Sequence, residues 1–299
     1  MALLGGPQGS RKSTLRSLVA EQMGLADVVF FDADDHYAFH THYDGLAREH
    51  GTLEAARRCS TDVEVLRTAI LDEVLARRTN IMFVGPYTNQ ELTLGRVASF
   101  RDEGYGTEMA YTALHPALTH VGVMDRHRWA LSDGPAYSFL VSLDLQQAIT
   151  DGVPAIMTVV EERGLADALH VVGARGIAFS KRLVPGGTWE PARPCSEVVE
   201  ETRNQLWDSA TRQDFLWRRT AVATPVGESA AEWSARLARV DELAAPMLNA
   251  PDRPSAQAAR KRSTTLPASR ATRKGAPPPA QRPATPPAPG WESSSGRSR

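Results

Sequence analysis

Between a short apolar run and an amphipathic stretch, the chain opens with Leu4-Gly5-Gly6-Pro7-Gln8-Gly9-Ser10-Arg11-Lys12-Ser13-Thr14. A strand that feeds a small-residue loop and then a helix is a phosphate-binding arrangement. The loop's N–H groups and the positive end of the helix both attract anions. The governing pattern is G-x-x-x-x-G-K-[ST] in strand–loop–helix context. Gly6 fills its first position, Lys12 its lysine and Ser13 its hydroxyl. The candidate nucleotide-binding set is therefore Gly6, Gly9, Ser10, Arg11, Lys12, Ser13 and Thr14. Lys12 would neutralise the β- and γ-phosphates of ATP, and Ser13 would bind Mg²⁺. Gly9 adds a small residue where backbone must come close to phosphate. No other lysine precedes Lys181 in an arginine-rich chain, which singles Lys12 out from an ordinary solvated lysine.

Arg11 stands where the pattern expects its second glycine. Glycine tolerates φ > 0 and close approach, whereas Arg carries a Cβ and bulk. Two readings follow. Either the position needs φ > 0 and stores roughly 1–3 kcal/mol of strain, or Arg11 points outward and its charge helps hold phosphate.

Beyond the loop, β-like runs alternate with helical stretches. Strands are expected at residues 2–4, 28–31, 81–84, 107–114 and 169–172, with a sixth added at an edge over 176–183. Helices are expected over 13–23, 63–76, 91–100, 154–163, 196–218 and 230–248. Pro154 is expected in a first helical turn, where it is tolerated. This alternation predicts an α/β domain, a P-loop NTPase-type three-layer sandwich with a mainly parallel sheet, over residues 1–248. Residues 249–299 are rich in Pro, Ala, Ser and Arg and too poor in apolar periodicity to repay the entropy of ordering. They read as a disordered tail. From residue 250 onward there are ten Lys or Arg against two Asp or Glu, a local +8 in a chain of net charge −1, leaving −9 on the body. An acidic body argues against a nucleic-acid-binding core and leaves only weak contacts to the tail.

No apolar run reaches the roughly 18 residues that a membrane span needs, and the start has no signal-peptide pattern. Cys59 and Cys195 have no metal-type spacing and read as reduced thiols of a cytoplasmic protein, with pairing left open. Trp129, Trp207, Trp217 and Trp233 read as packing groups on helices.

The second expected strand runs into Asp32-Ala33-Asp34-Asp35-His36. Ligands of open α/β sheets bind at the carboxyl ends of strands. A carboxylate there can take the proton of an acceptor hydroxyl or hold Mg²⁺. Asp34 is the first choice for that chemistry and Asp32 the second. Asp35 reads as a helix cap. His36, His40 and His42 form no closed ligand set and read as surface or substrate-contacting side chains.

Taken together, Leu4 to Leu15 and Asp32-Ala33-Asp34 followed by His40 resemble the zeta toxin family of toxin–antitoxin systems, with its L-G-G-x-x-G-x-G-K-[ST]-x-L loop and D-x-D-x5-H element. The similarity continues weakly through Gly104-Tyr105 and Val153-Pro154 to about Gly176. Characterised members are kinases that use ATP to phosphorylate the 3′-hydroxyl of UDP-N-acetylglucosamine, and a partner antitoxin restrains them. The resemblance implies Lys12 and Ser13 on ATP–Mg²⁺ and Asp34 as the base. It also implies Arg126 as one of two arginines that stabilise the transferring phosphoryl group, and Asp32, His40 and Arg128 on the substrate side.

The chain departs from the pattern on that side. The second family arginine falls at Phe139, with Arg128 nearby. Val84-Gly85-Pro86-Tyr87-Thr88 stands where the family has E-G-T followed by an arginine, and Thr68 stands for a family glutamate. Nucleotide-side groups are kept and acceptor-side groups are not, which implies a changed acceptor or a weakened enzyme. The chain also starts at its first strand, where family members carry a helical stretch that adjoins the antitoxin. Two alternatives stand beside the kinase reading: a degenerate nucleotide-binding protein acting through partners, and another P-loop phosphotransferase of antibiotic or nucleoside type.

Overall fold

The computed structural model of the chain describes residues 1–87, 89–132, 140–225 and 230–250. Thr88, Phe139 and the expected tail from residue 251 lie outside the described residues.

Among the described residues seven strands form one sheet, in the order β2-β3-β1-β4-β5-β6-β7. They are β1 (Ala2–Gly5), β2 (Val29–Asp32), β3 (Ile81–Val84), β4 (Glu108–Thr112), β5 (Ala168–Gly173), β6 (Gly176–Val184) and β7 (Thr188–Glu190). The first five run parallel and the last two antiparallel. The strands are expected from the apolar runs; β7, three residues long, was not.

Side chains alternate between two cores, as the period of two demands. Leu3, Ile81, Phe83, Met109, Tyr111 and Val171 face one layer, which includes Val74, Val97, Phe100, Met157 and Val199. Ala2, Leu4, Met82, Val84, Ala110 and Val172 face the other, where Leu15, Val19 and Ala20 cover them. Buried on both faces, such strands read as continuous apolar runs, which is why they were legible.

The helices among the described residues are α1 (Lys12–Gln22), α2 (Tyr43–His50), α3 (Thr52–Arg77), α4 (Gln90–Asp102), α5 (Pro116–Ser132), α6 (Leu143–Arg163), α7 (Cys195–Arg203), α8 (Ser209–Ala221) and α9 (Ala230–Asn249), with a 3₁₀ turn at Asp35–Phe39. Several depart from expectation. The helix expected at 63–76 starts at Thr52, and α2 and α5 carried no clear stripe. The helix expected over 196–218 is two, because Asp208 accepts from the Thr211 N–H at 2.9 Å and starts a new one.

Pro154 is not in a first turn but inside α6, which starts from a Ser142 cap. A proline there withholds its N–H from the carbonyl four residues back. The buried guanidinium of Arg203 donates to that carbonyl, of Thr150, at 3.0 Å. The interruption is thereby satisfied from α7.

α5, α8 and α9 enclose a third apolar cluster around Trp233, Phe215 and Trp207. Trp129 and Trp217, expected to pack, are instead 52% and 64% exposed on α5 and α8. Both cysteines are free and buried. Among the described residues no helix is long and apolar enough to cross a membrane.

Candidate functional site

The glycine-rich loop leaves the carboxyl end of β1, between β3 and β4, and ends where α1 begins. Two buried hydroxyls fix its underside. Thr112 Oγ1, on β4, lies 2.7 Å from Ser10 Oγ and 3.3 Å from the Gly5 carbonyl. Ser10, expected among the nucleotide contacts, thus turns its side chain beneath the loop rather than to its mouth.

Gly6 has φ 141° and Gly9 φ 74°. A Cβ on Gly9 would collide with the Thr119 carbonyl and lie 2.8 Å from the Val123 N–H nitrogen. The backbone of α5 is thus one close neighbour that requires glycine there.

Arg11 adopts φ 62°, ψ 22°, the left-handed conformation of the glycine it replaces. Of the two readings of Arg11, the strained backbone holds. The outward-pointing side chain also holds, but its guanidinium pairs with Asp214 on α8. Lys12 folds back over the loop and donates to the Gly6 and Pro7 carbonyls at 2.8 and 2.9 Å. Ser13 and Thr14 open to solvent in the first turn of α1, where helix N–H groups lack intrahelical partners.

The acidic turn follows β2. Asp32 pairs in register with Val84, which is the partner of Leu4. The turn therefore sits level with the loop and two strands away, about 10 Å. Asp32 Oδ1 accepts from the Asp34 N–H at 3.2 Å. Asp35, expected as a cap, instead pairs with Arg16 of α1 at 3.0 Å, and the 3₁₀ turn has no side-chain cap.

His40 is tied to α3 through Asp62 at 3.1 Å and Cys59 at 3.3 Å, so it braces the turn. His36 is buried edge-on to Phe31, contrary to a surface role. Among the described residues no three His, Cys, Asp or Glu side chains form a metal-holding group.

Electrostatics link the loop, the turn and α5. Burial pulls the Lys12 ammonium down to about 8; Arg126 adds to this, and Asp32 and Asp34 oppose it. Burial pushes the Asp32 carboxyl up to about 6, with Asp35 and Asp34 adding to it. The Asp34 carboxyl is also raised, chiefly by desolvation, while Arg126, Lys12 and Arg67 hold it back. Lys12, Asp34 and Arg126 thus feel one another although 114 residues of sequence separate the first from the last.

Arg126 is exposed and makes no hydrogen bond or ion pair among the described residues. Arg128 differs: it pairs with Asp125 at 3.2 Å. The chemistry fits an ATP–Mg²⁺ group. Two cations flank crowded carboxylates whose raised values call for positive charge, beside a helix N-terminus that attracts phosphate.

Sequence reasoning missed Arg67 and Tyr87. Arg67 on α3 donates to the Ala33 carbonyl at 2.6 Å and stacks over Tyr37. It also borders an open cavity of about 820 Å³, whose described lining lies on α3 and includes Glu64, Arg67, Thr68 and Asp72. Tyr87, at φ 47°, lays its ring over Gly85, and its phenol is raised by burial against the influence of Arg96. Neither carries a local sequence signal: Arg67 is one arginine of many, 34 residues from the carbonyl it holds.

The zeta toxin family model matches residues 1–211. Toxin zeta of Streptococcus pyogenes is 19% identical over 216 residues, which span 72% of this chain and 73% of that protein. Toxin zeta of Enterococcus hirae is 19% identical over 181 residues, 60% of this chain and 63% of that one. A solved structure from the PezAT chromosomal toxin–antitoxin system of Streptococcus pneumoniae aligns over 81% of this chain and 86% of its own, with TM-score 0.56 and 16% identity. At that identity the structural likeness speaks to the fold.

Proposed function

The chain belongs to the zeta toxin family of ATP-dependent phosphotransferases, and on that premise we propose that it is a kinase transferring the γ-phosphate of ATP to a hydroxyl of a UDP-sugar such as UDP-N-acetylglucosamine. The observation that carries this reading is the electrostatic convergence of Lys12, Asp34 and Arg126 beside the loop.

Each group has a role its chemistry suits. Lys12, already held across the loop carbonyls, binds the β- and γ-phosphates, and Ser13 ligates Mg²⁺. Asp34 accepts the proton of the acceptor hydroxyl. Its raised value brings it closer to that task than an ordinary carboxylate. Arg126, with no hydrogen-bond or ion-pair partner among the described residues, is available to the charge that develops on the transferring group. ATP supplies the phosphoryl group and Mg²⁺ neutralises its oxygens. Asp32 orients Asp34 through its backbone N–H. Arg67 and His40 hold the turn against α3. A partner antitoxin belongs to the same proposal, by likeness to the family.

The test is ATP turnover with UDP-N-acetylglucosamine. Stimulation by this sugar nucleotide, lost on the order of 10²–10³-fold in Asp34→Ala, is expected. Turnover that persists unchanged in Asp34→Ala sinks the base assignment. Turnover with other acceptors but not with this one moves the chain to another phosphotransferase class.

A further inference from the structure

The guanidinium of Arg11 has a partner that the phosphate-loop pattern does not supply. It pairs with Asp214 Oδ2 on α8. The same oxygen accepts from Arg218 Nε at 3.1 Å. Arg218 in turn reaches Asp125 Oδ2 at 3.2 Å, and Arg128 takes the other oxygen of Asp125 at 3.2 Å. Three arginines and two aspartates thus alternate from the loop through α8 to α5. Asp214 and Arg218 lie beyond residue 211, outside the stretch that the family pattern covers.

Two properties make the first link exchangeable. The side chains of Arg11 and Asp214 are 35% and 36% exposed, and an ion pair that open to water contributes little. Asp214 also keeps Arg218 when Arg11 leaves, so no carboxylate is orphaned by the exchange. A polyphosphate arriving at the loop offers Arg11 a doubly charged, bidentate partner in place of a shared carboxylate oxygen.

We propose that Asp214 is an internal competitor for Arg11: it holds the guanidinium until nucleotide phosphate takes it, so α8 sets how tightly the loop binds ATP. The inference rests on the nucleotide-binding reading above. Reciprocity requires that ATP binding in turn loosens the contact of α8 with the loop.

Calorimetric titration of the full chain with ATP–Mg²⁺ tests it. Asp214→Asn keeps the shape but removes the charge, and is expected to tighten ATP binding about two- to fivefold, the range an exposed pair can supply. In an Arg11→Gly background the same substitution is expected to have no effect. Affinity that is unchanged or weaker in Asp214→Asn makes Asp214 a brace of the loop and overturns the inference, with the nucleotide reading intact. No ATP binding by either protein overturns both. Should the variant not fold, hydrogen exchange on the wild-type chain decides. Faster exchange in α8 on adding ATP supports the competition, and unchanged or slower exchange overturns it.

Discussion

Gly9 and Gly122 meet backbone to backbone: a Cβ built on Gly122 of α5 would lie 2.7 Å from the Gly9 carbonyl oxygen. The phosphate loop is therefore seated on a helix whose own sequence gives no sign of the contact. The same helix carries Arg126. Packing at Gly9 thus sets how the loop and Arg126 face each other.

Gly122→Ala should cost stability although alanine favours helix. Overpacking against backbone costs about 1–3 kcal/mol, more than the roughly 1 kcal/mol of helix propensity gained. Gly95→Ala on α4 meets nothing within 4 Å and should gain a share of that propensity instead. Thermal melts of the two variants should move in opposite directions, and ATP affinity should fall only in Gly122→Ala.

Arg126 and Arg128 lie two residues apart on α5 but in different surroundings. Arg126→Ala removes an exposed guanidinium that has no partner among the described residues, and should lower the rate on the order of 10²-fold or more with an unchanged melting temperature. Arg128→Ala releases Asp125, which retains Arg218, and should change the rate little. Equal rate losses in both variants would remove Arg126 from its special role.

The lowered Lys12 value fixes a pH dependence. Phosphate binding needs the ammonium, whose free-protein value is about 8. Apparent ATP affinity and kcat/KM should hold up to about pH 7.5 and fall through pH 8, since kcat/KM reports groups of the free enzyme. Lys12→Met should bind weakly and lose that alkaline limb. An alkaline limb that persists in Lys12→Met assigns it to another group.

Asp32 fixes a stability dependence that also falls as pH rises, in a lower window. Its folded value, about 6, stands above the ordinary carboxyl value of 3.8. The group's contribution is complete below the unfolded value and is lost as pH rises through the folded one. Asp32→Asn keeps an oxygen for the Asp34 N–H and removes the charge. The variant should melt higher than wild type at pH 7.5, with the gain vanishing below about pH 4. A gain that is the same at both pH values would attribute it to packing rather than to charge.

The sheet was legible because each strand of its parallel part is buried on both faces, so Ile81-Met82-Phe83-Val84 reads as a strand without context. The loop was legible because Lys12 and Ser13 must follow Gly6 at fixed spacing. Legibility failed where a residue's role is set by a distant partner. Pro154 looked like a helix start because its remedy, Arg203, lies 49 residues on. Asp35 looked like a cap, although Arg16 of the preceding helix claims it. Nor does the sequence show that the Ser10 hydroxyl bonds Thr112, 102 residues away.

The sequence by itself determined the fold class, the phosphate loop and the acidic turn, because these depend on periodicities and spacings within a few residues along the chain. Tertiary structure alone decided which groups share a field. Lys12 and Asp34 feel Arg126 because α5 packs on Gly9, Arg67 holds the acidic turn from α3, and Asp214 meets Arg11 from α8. The physical reason is range. Backbone conformation and apolar burial are encoded locally, whereas the interaction of charges depends on through-space distance and desolvation, which exist only once the chain has closed on itself.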